Sequence, residues 1–341
     1  MKLITFTVPC YNSESYMERC IDSLLIAGDD AEIIIVNDGS SDNTSNIAHH
    51  YEKLYPQIVR VIDKENGGHG SGVNAGLKYA KGKYFKVVDS DDWLDKTSLK
   101  KFMKTLRYWE KNNISLDLVI CNYIYDHLYE PEKNYTARYG NIFKPGKLSS
   151  WNDMGIFKPS QYLIMHALYF RTEILRQSGI ELPLHTFYVD NIFACQPLPF
   201  VKSICYLNID LYHYFIGRDD QSVNESVHIK RVDQQIYITE QILYNVDMRL
   251  CRCTSRKLEK YELRFLSIMV TICDVYLLKT GTEEALEKRH KLWKNIKAFD
   301  PNIYYYLRYF TMSGLTYLPG YAGRKIAVLG YELAHNLVSF N

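Results

Sequence analysis

Three aspartates in the segment VDSDDWLD form the most distinctive chemical pattern of the sequence. Asp89, Asp91 and Asp92 directly follow an apolar run, so several carboxylates converge where a buried strand should end. Carboxylates held this close repel one another unless a cation neutralises them, and Mg²⁺ or Mn²⁺ prefers oxygen ligands shared with substrate phosphates. The pattern therefore predicts a divalent-metal site. The structural alternative is that Asp92 or Asp95 caps a helix near Leu99.

A second acidic turn, NDGSSD, follows the apolar run EIIIV. Asp38 stands where this strand should end, and its carboxylate could accept the N–H group at the edge of a nucleobase. The alternative for this turn, taken alone, is a plain connection from strand to helix. Asp38 is thus a candidate nucleotide-binding residue.

The glycine-rich segment ENGGHGSGVNAG contains a literal GxGxxA pattern, GSGVNA, with Asp89 about 20 residues further on. By its letters this is a dinucleotide-binding fingerprint, which suggests a nicotinamide-dependent dehydrogenase. The first glycine of that fingerprint should form the turn of the strand itself, yet Gly68 comes as many as five residues after Asp63, which is too far from the strand. We therefore predict a flexible loop over Gly67–Gly72 that lets backbone approach a ligand, and Gly68 becomes a candidate nucleotide-binding residue.

The elements that must position these turns alternate along the first hundred residues. Short β-branched runs are separated by helical patterns at about Ser15–Leu25, Thr44–Leu54 and Val73–Lys81. This alternation predicts an α/β fold with a doubly wound, mostly parallel sheet and helices on both faces. Ligands bind at the carboxyl ends of such strands, so three strand-end turns should form the site. These turns are Pro9–Asn12, Asn37–Asp42 and Asp89–Asp92.

The rest of the chain divides into a mixed region and a helical region. Residues 101–220 contain further strand patterns such as LDLVICNYIY, and after residue 221 apolar residues recur every three or four positions. We predict one domain built from halves at 1–100 and 101–220, followed by a helical C-terminal region at 221–341. Tyrosines are dense in this last region, which suits either a helical core or an interface with one wet and one apolar side.

Charge and composition narrow the possible classes of protein. With 41 Lys and Arg against 39 Asp and Glu, the chain has no overall basic field for binding nucleic acid. Residues 221–341 carry 17 basic and 12 acidic residues, a surplus that could favour an anionic surface. The eight cysteines show neither zinc spacing nor a disulfide framework. Without an evident export leader or an apolar stretch long enough to span a bilayer, we expect a cytoplasmic protein.

The first hundred residues resemble the nucleotide-sugar-binding half of the family 2 glycosyltransferases, which have the GT-A fold. Four ordered segments carry the resemblance: FTVPCYN, EIIIVNDGSSDNT, NGGHGSGVNAGLKYAKGKY and VVDSDDWLD. The resemblance implies that four residues hold the uridine of the donor, namely Pro9, Tyr11, Asn12 and Asp38. It also implies that the acidic motif, Asp89 and Asp91 with Asp92 adjacent, binds a metal on the diphosphate.

Two later segments extend the resemblance. Family members often carry a Tyr-Glu-Asp motif whose aspartate is the general base for the acceptor hydroxyl, and FYVDNIF matches it at Asp190 with Val189 in place of the glutamate. In YHYFIGRDDQSV, Arg218 matches a position near the departing diphosphate, and Asp219 or Asp220 is the alternative base. The QxxRW signature of processive members is absent from the sequence, so we expect one sugar to be added per encounter.

The resemblance implies an inverting glycosyltransferase. It would move a hexose or an N-acetylhexosamine from a UDP-sugar to a hydroxyl of a glycan or lipid-linked acceptor, with Mn²⁺ or Mg²⁺, in the synthesis of cell-surface polysaccharide or glycolipid. Residues 1–100 would bind the nucleotide sugar, and residues 101–220 would bind the acceptor and supply the base. The C-terminal region could contact the inner face of the membrane, and the protein could form an oligomer. The alternatives are a non-catalytic nucleotide-sugar-binding protein of the same fold and an NAD-dependent dehydrogenase.

Overall fold

The computed structural model describes residues 2–127, 129–159, 161–217 and 225–338. These residues belong to two compact units, one within Met1–Ile156 and Leu163–Gly217 and the other within Phe157–Tyr162 and Arg218–Asn341. The first unit contains all the strands, and the second is helical.

A sheet of ten strands forms the centre of the first unit. The strands are β1 (Ile4–Cys10), β2 (Ala31–Asp38), β3 (Val59–Lys64), β4 (Tyr84–Val87), β5 (Trp93–Leu94), β6 (Leu118–His127), β7 (Tyr135–Ala137), β8 (Leu148–Ser149), β9 (Leu168–Arg171) and β10 (Ile204–Ile216). The main path runs β3-β2-β1-β4-β9-β6-β10-β5, with β7 beside β6 and β8 beside β10. Strands β3, β2, β1 and β4 are mutually parallel, as are β6 and β10, whereas β9 runs antiparallel between β4 and β6. The predicted mostly parallel sheet is confirmed.

The inner strands form because their side chains are apolar enough to be buried on both faces. Every residue of β1 and β2 is buried, which is typical of parallel strands covered by helices. The strand β4 is also entirely buried, although it contains the charged residue Lys86. A buried lysine in a central strand needs compensating contacts, which lie near the candidate site.

The helices of the first unit correct one prediction. They are α1 (Met17–Leu25), α2 (Thr44–Leu54), α3 (His69–Tyr79), α4 (Lys96–Lys111), α5 (Thr172–Gln177) and α6 (Asp190–Cys195). The prediction of a flexible loop over Gly67–Gly72 is wrong, because α3 already begins at the third residue of that range. A Cβ atom on Gly72 would lie 2.8 Å from Pro9, and one on Gly76 would lie 1.8 Å from the Thr7 hydroxyl. The glycines therefore let α3 pack closely against β1.

The second unit confirms the predicted helical C-terminal region. Its helices are α7 (Glu225–Lys230), α8 (Val232–Asn245), α9 (Met248–Thr254), α10 (Arg256–Thr280), α11 (Glu283–Phe299), α12 (Pro301–Phe310), α13 (Met312–Thr316) and α14 (Gly320–Val338). The long helix α10 begins where the Ser255 hydroxyl accepts the Lys257 N–H, and it ends at Gly281 with φ of 72°. In the described part of the chain, no helix has the length and hydropathy needed to cross a membrane.

A buried polar cluster joins α10, α11 and α13. The carboxylate of Asp274 accepts the Trp293 indole N–H at 3.0 and 3.1 Å and the Thr316 hydroxyl at 2.9 Å. Arg289 Nε lies 3.4 Å from the same carboxylate, and the guanidinium also donates to the backbone carbonyl of Thr316. Burial raises the pKa of Asp274 to about 6, although the charge of Arg289 opposes that rise.

Candidate active site

The DSDD turn lies at the carboxyl end of β4. Of the two residues predicted as alternative helix caps, Asp95 has this role, because its side chain accepts the Ser98 N–H at 2.7 Å and caps α4. Asp92 is instead fully buried, and its carboxylate accepts the Tyr212 hydroxyl at 2.5 Å and the Phe215 N–H at 2.8 Å. Strand β10 therefore fixes this carboxylate in place.

Two carboxylates and one imidazole meet at this turn. The potential ligand atoms of Asp89, Asp92 and His166 all lie within 4.8 Å of one another. His166 Nε2 is 3.4 Å from Asp89 Oδ2 and 3.9 Å from Asp92 Oδ2. Among the described residues, Nδ1 of the buried His166 has no hydrogen-bond partner, and Nε2 has only these two carboxylates nearby. This donor set, with an unsatisfied buried nitrogen, fits a divalent ion such as Mn²⁺.

The cluster differs from the predicted metal set of Asp89, Asp91 and Asp92. Asp91 stands outside the three-residue group, and its backbone carbonyl accepts the Arg19 guanidinium at 2.8 Å. His69 stands close by instead, with Nε2 at 2.7 Å from Asp89 Oδ1. Asp89 thus has an imidazole facing each of its carboxylate oxygens.

The two aspartates of the cluster have pKa values displaced in opposite directions. Burial raises the pKa of Asp92 well above its usual range, and the negative charges of Asp91 and Asp89 add to this rise. Burial acts in the same sense on Asp89, but the facing imidazoles of His69 and His166 hold the pKa of this carboxyl below its usual range. Mutual repulsion of buried carboxylates is the condition that a bound cation relieves.

Lys86 holds the backbone that carries His166. His166 belongs to the 3₁₀ turn Met165–Ala167, and Lys86 Nζ donates to the first two backbone carbonyls of this turn, both at 2.7 Å. The ammonium group also lies 4.8 Å from the ring centroid of Tyr169 and 4.6 Å from that of Tyr212. Burial lowers the pKa of Lys86 to about 7. The lysine therefore ties β4 to the turn from which His166 reaches the carboxylates.

The end of β1 and the turn that follows it hold three of the predicted uridine-binding residues. Pro9 lies within β1, and the Tyr11 side chain is 54% exposed just beyond it. Asn12 adopts φ of 48°, and its Oδ1 accepts the Ser41 N–H at 2.9 Å, so this turn is tied to the one that follows β2. An exposed aromatic ring on a fixed turn is suited to stacking on a base.

Asp38 has partners within the protein. Its carboxylate accepts Lys64 Nζ at 2.6 Å, the Gly67 N–H at 3.0 and 3.2 Å and the Gly68 N–H at 2.7 Å. The side chain thereby organises the glycine turn that leads into α3. Gly68 has φ of 81°, and a Cβ atom there would lie 3.0 Å from the backbone nitrogen of His185. A direct contact of Asp38 with a nucleobase stays a prediction.

Asp190 is the first residue of α6 and lies within electrostatic reach of the cluster. Burial raises its pKa, the charges of His166 and His69 oppose the rise, and the charge of Asp89 adds to it. Tyr188, two residues earlier, has φ of 65°, which is strained for a non-glycine residue and common near functional sites. The structure thus brings Asp190, predicted as the base, within electrostatic range of Asp89 and of the two imidazoles that face it.

The sequence analysis did not identify His166, Lys86 or His69 as residues of the site. Three predicted residues lie outside the part of the chain that the structure describes, namely Arg218, Asp219 and Asp220. His166 stands in the apolar run QYLIMHALYF, and Lys86 in the apolar strand YFKVV, so a charged or titratable residue within an apolar run was the available signal. His69 was hidden among the glycines of NGGHGSG.

Proteins similar to this chain are named as glycosyltransferases. The chain is 26% identical over 310 residues to EpsH of Bacillus subtilis, with 84% of this chain and 80% of EpsH covered. It is 38% identical over 242 residues to the poly(ribitol-phosphate) beta-glucosyltransferase of Bacillus spizizenii, covering 65% of this chain but only 33% of that relative.

A solved structure has the same fold at low sequence identity. The crystal structure of S. aureus TarS 1–349 in complex with UDP-GlcNAc superposes with a TM-score of 0.64 at 18% identity, covering 98% of this chain and 91% of that one. The fold is therefore of the GT-A type. The sequence profile of Glycosyl transferase family 2 matches residues 5–175, a segment that contains Asp89, Asp92 and His166. The chain belongs to glycosyltransferase family 2.

Proposed function

We propose that the protein transfers a hexose or an N-acetylhexosamine from a UDP-sugar to a hydroxyl of a glycan or lipid-linked acceptor, with inversion at the anomeric carbon. The observation that carries this proposal is the cluster of Asp89, Asp92 and His166, with Asp190 within electrostatic range of it. A metal-binding set beside a carboxylate base suits a displacement in which a hydroxyl attacks as a diphosphate leaves. In this scheme residues 1–100 bind the nucleotide sugar, and residues 101–220 bind the acceptor and provide the base.

The proposed nucleotide site uses the carboxyl ends of β1, β2 and β4 and the start of α3. Its residues are Pro9, Tyr11, Asn12, Asp38, Gly68 and Asp89. The exposed ring of Tyr11 would stack on the uracil, while Asp38 keeps the glycine turn in position through its bonds to two backbone N–H groups. The bound UDP-GlcNAc in the similar TarS structure supports a UDP-sugar as the donor class.

The proposed metal site consists of Asp89, Asp92 and His166, with Asp91 as a further candidate ligand. A divalent metal here would neutralise the charge that develops on the leaving diphosphate. Asp92 keeps its place through the Tyr212 hydroxyl and the Phe215 N–H, so the site is largely preformed. The imidazole of His166 favours Mn²⁺ over Mg²⁺, since magnesium prefers an all-oxygen environment.

The proposed base is Asp190. Its carboxylate takes the proton of the acceptor hydroxyl while the hydroxyl oxygen bonds to the anomeric carbon and the bond from that carbon to the UDP oxygen breaks. UDP departs with the electron pair, and Arg218 is proposed to stabilise its negative charge. Burial helps Asp190 as a base, because a raised pKa strengthens its affinity for the transferred proton.

The proposed acceptor is a glycan or lipid-linked chain of a cell-surface polymer. The similarity to the poly(ribitol-phosphate) beta-glucosyltransferase supports this class of acceptor. We place the reaction in the cytoplasm at the inner face of the membrane, because residues 221–341 carry an excess of basic residues.

The two alternative functions have less support. A non-catalytic binding protein of the same fold would have no need of Asp190 near the metal set. The dehydrogenase alternative loses its support, because the glycines of GSGVNA lie within α3, where Gly72 packs against β1.

The donor can be tested by thermal unfolding with nucleotides and metals. UDP with Mn²⁺ at about 100 times its dissociation constant should raise the melting temperature by about 5–10 °C, whereas NAD should have no effect. UDP release from a panel of UDP- and GDP-sugars then reports turnover. Stabilisation by NAD and none by UDP would restore the dehydrogenase, and tight UDP-sugar binding without transfer to any acceptor would favour the non-catalytic protein.

Two variants separate the observed cluster from the predicted metal set. His166→Gln should weaken Mn²⁺-dependent UDP binding by about tenfold or more, because it removes a proposed ligand while UDP alone still binds. Asp91→Asn is the comparison, since Asp91 belongs to the metal set predicted from the sequence but stands outside the observed cluster. A loss in Asp91→Asn with normal Mn²⁺ dependence in His166→Gln would instead favour the metal set predicted from the sequence.

A further inference from the structure

Exposed apolar side chains concentrate in one stretch of the second unit. Of the 22 large apolar side chains that are exposed among the described residues, eight fall between residues 305 and 329. We call these eight the aromatic face: Tyr305, Tyr309, Phe310, Met312, Leu315, Tyr321, Ile326 and Leu329. Each is more than half exposed. Exposed apolar residues that are scattered singly over a surface are ordinary, whereas a concentration of them in one segment indicates an interaction surface.

Helix α12 shows how the face is separated from the core. Ile303 and Leu307, four residues apart, are buried, whereas Tyr305 and Tyr309, also four apart, are 57% and 62% exposed. The ring centroids of Tyr305 and Tyr309 are 5.0 Å apart, and that of Phe310 is 5.7 Å from Tyr305. Because Ile303 and Leu307 already pack into the core from α12, these three rings contact one another and remain available to a partner.

The charges on this stretch are all of one sign. Residues 301–331 contain Arg308, Arg324 and Lys325 and no aspartate or glutamate. The carboxylate of the next residue, Glu332, lies 3.8 Å from Lys279 Nζ. Lys325 Nζ lies 4.7 Å from the ring centroid of Tyr321, and the Arg308 guanidinium lies 5.5 Å from that of Tyr309. Basic groups therefore stand directly beside the exposed rings. Aromatic rings with adjacent basic residues suit the headgroup region of a membrane with anionic lipids.

A second copy of the chain fits this face less well. In a two-fold contact the face would pack against itself, so Arg308, Arg324 and Lys325 would meet the same basic residues across the interface. The segment offers no acidic residue with which they could pair. Like charges brought together in this way oppose association, whereas an anionic surface attracts all three.

We propose that the aromatic face lies in the headgroup region of a bilayer containing anionic lipids and holds the protein there as a peripheral membrane protein. The rings enter the boundary between headgroups and acyl chains, while the arginines and the lysine remain at the lipid phosphates. This proposal narrows the membrane contact expected of residues 221–341 to α12, α13 and α14. It concerns membrane attachment and is independent of the metal, the base and the donor.

The test is flotation of the full chain with vesicles of phosphatidylcholine alone or with about one third phosphatidylglycerol. The chain should float with the anionic vesicles at low salt and much less with the neutral ones, because electrostatic attraction and ring insertion act together. Tyr305→Ser combined with Phe310→Ser should weaken vesicle binding by about tenfold or more, since it removes two large apolar groups. Tyr108→Ser, at a tyrosine 60% exposed in the first unit, is the matched control and should bind as the unchanged chain does.

Three results would overturn the proposal. They are absence of flotation at low salt, equal flotation with neutral and anionic vesicles, and equal losses in the aromatic-face variant and the Tyr108→Ser control. Light scattering adds a fourth, because a concentration-dependent dimer that the aromatic-face variant abolishes would assign the face to a second copy. UDP release in solution should be unchanged in the aromatic-face variant, which separates a failure of this proposal from a failure of the proposed transfer reaction.

Discussion

The buried carboxyl of Asp274 should make the stability of the second unit fall as the pH rises from weakly acidic to neutral. Burial raises its pKa in the folded chain to about 6, against 3.8 for the ordinary group. Between these two values the folded chain holds a proton that the unfolded chain has released. The contribution of this group to the free energy of unfolding is therefore complete below about pH 4 and is lost as the pH rises through 6.

The size of the effect follows from the two pKa values. A difference of about two units corresponds to about 3 kcal/mol over the whole range, at about 1.4 kcal/mol per unit. Between pH 4.5 and 7.5, where the fold can be handled, about 2 kcal/mol should be lost. Asp274 is completely buried, so solvent does not screen this difference.

Asp274→Asn removes the titrating group and supplies the comparison. The amide oxygen can still accept from Trp293 and Thr316. At low pH Asp274 is as uncharged as this amide, so Arg289 lacks a counter-charge in both chains. The variant therefore differs from the unchanged chain mainly in packing at low pH, and any deficit in its free energy of unfolding there is not a loss of charge pairing. Its deficit relative to the unchanged chain should shrink by about 2 kcal/mol between pH 4.5 and 7.5, since only the unchanged chain loses the Asp274 contribution.

Urea unfolding at several pH values, followed by tryptophan emission, measures this deficit. Trp293 donates to Asp274 and lies in the second unit, so its emission contributes to the measured transition. The remaining emission comes from Trp93, Trp109 and Trp151 in the first unit. Other titrating groups occur in both chains and cancel in the difference. A deficit that stays constant over this pH range would refute the reasoning, because it would show that Asp274 is already ionised in the folded chain at pH 4.5.

Two further predictions concern the first unit. Asp190→Asn should reduce sugar transfer by about 100-fold or more with donor affinity nearly unchanged, as single-turnover transfer and a donor titration on the same variant can show. Transfer at the normal rate would remove Asp190 as the base. Lys86→Met should weaken Mn²⁺ binding, measured by electron paramagnetic resonance, because the turn that carries His166 loses two hydrogen bonds. Thr172→Val removes a buried hydrogen bond elsewhere in the unit and is the control; equal Mn²⁺ affinity in both variants would contradict a positioning role.

The sequence predicts the turns of this site better than its complete set of residues. Strand and helix alternate plainly in the first hundred residues, so the positions of Asp38 and Asp89 at strand ends follow from periodicity alone. The position of His166 in the site depends instead on the order of the strands in the sheet. It precedes β9, which inserts antiparallel between β4 and β6, and no local pattern reveals such an insertion.

The start of α3 shows a second limit of sequence reasoning. Glycines usually weaken helices, so the segment GGHGSG predicts a loop by propensity. The structure places Gly72 and Gly76 in a helix because their missing side chains allow contact with β1. The stability gained from this tertiary packing outweighs the local preference, and only the three-dimensional arrangement reveals the contact.

The hydrogen bonds of Lys86 also determine where this chain can be divided. A fragment ending near residue 100 would contain the lysine but neither of the two carbonyl acceptors, which lie 79 and 80 residues further along. Its ammonium group would then be buried without partners, or β4 would have to open to water. The nucleotide-sugar-binding half should therefore not fold as an independent fragment. Split versions of the protein should recover activity only when the second fragment supplies the Met165–Ala167 turn.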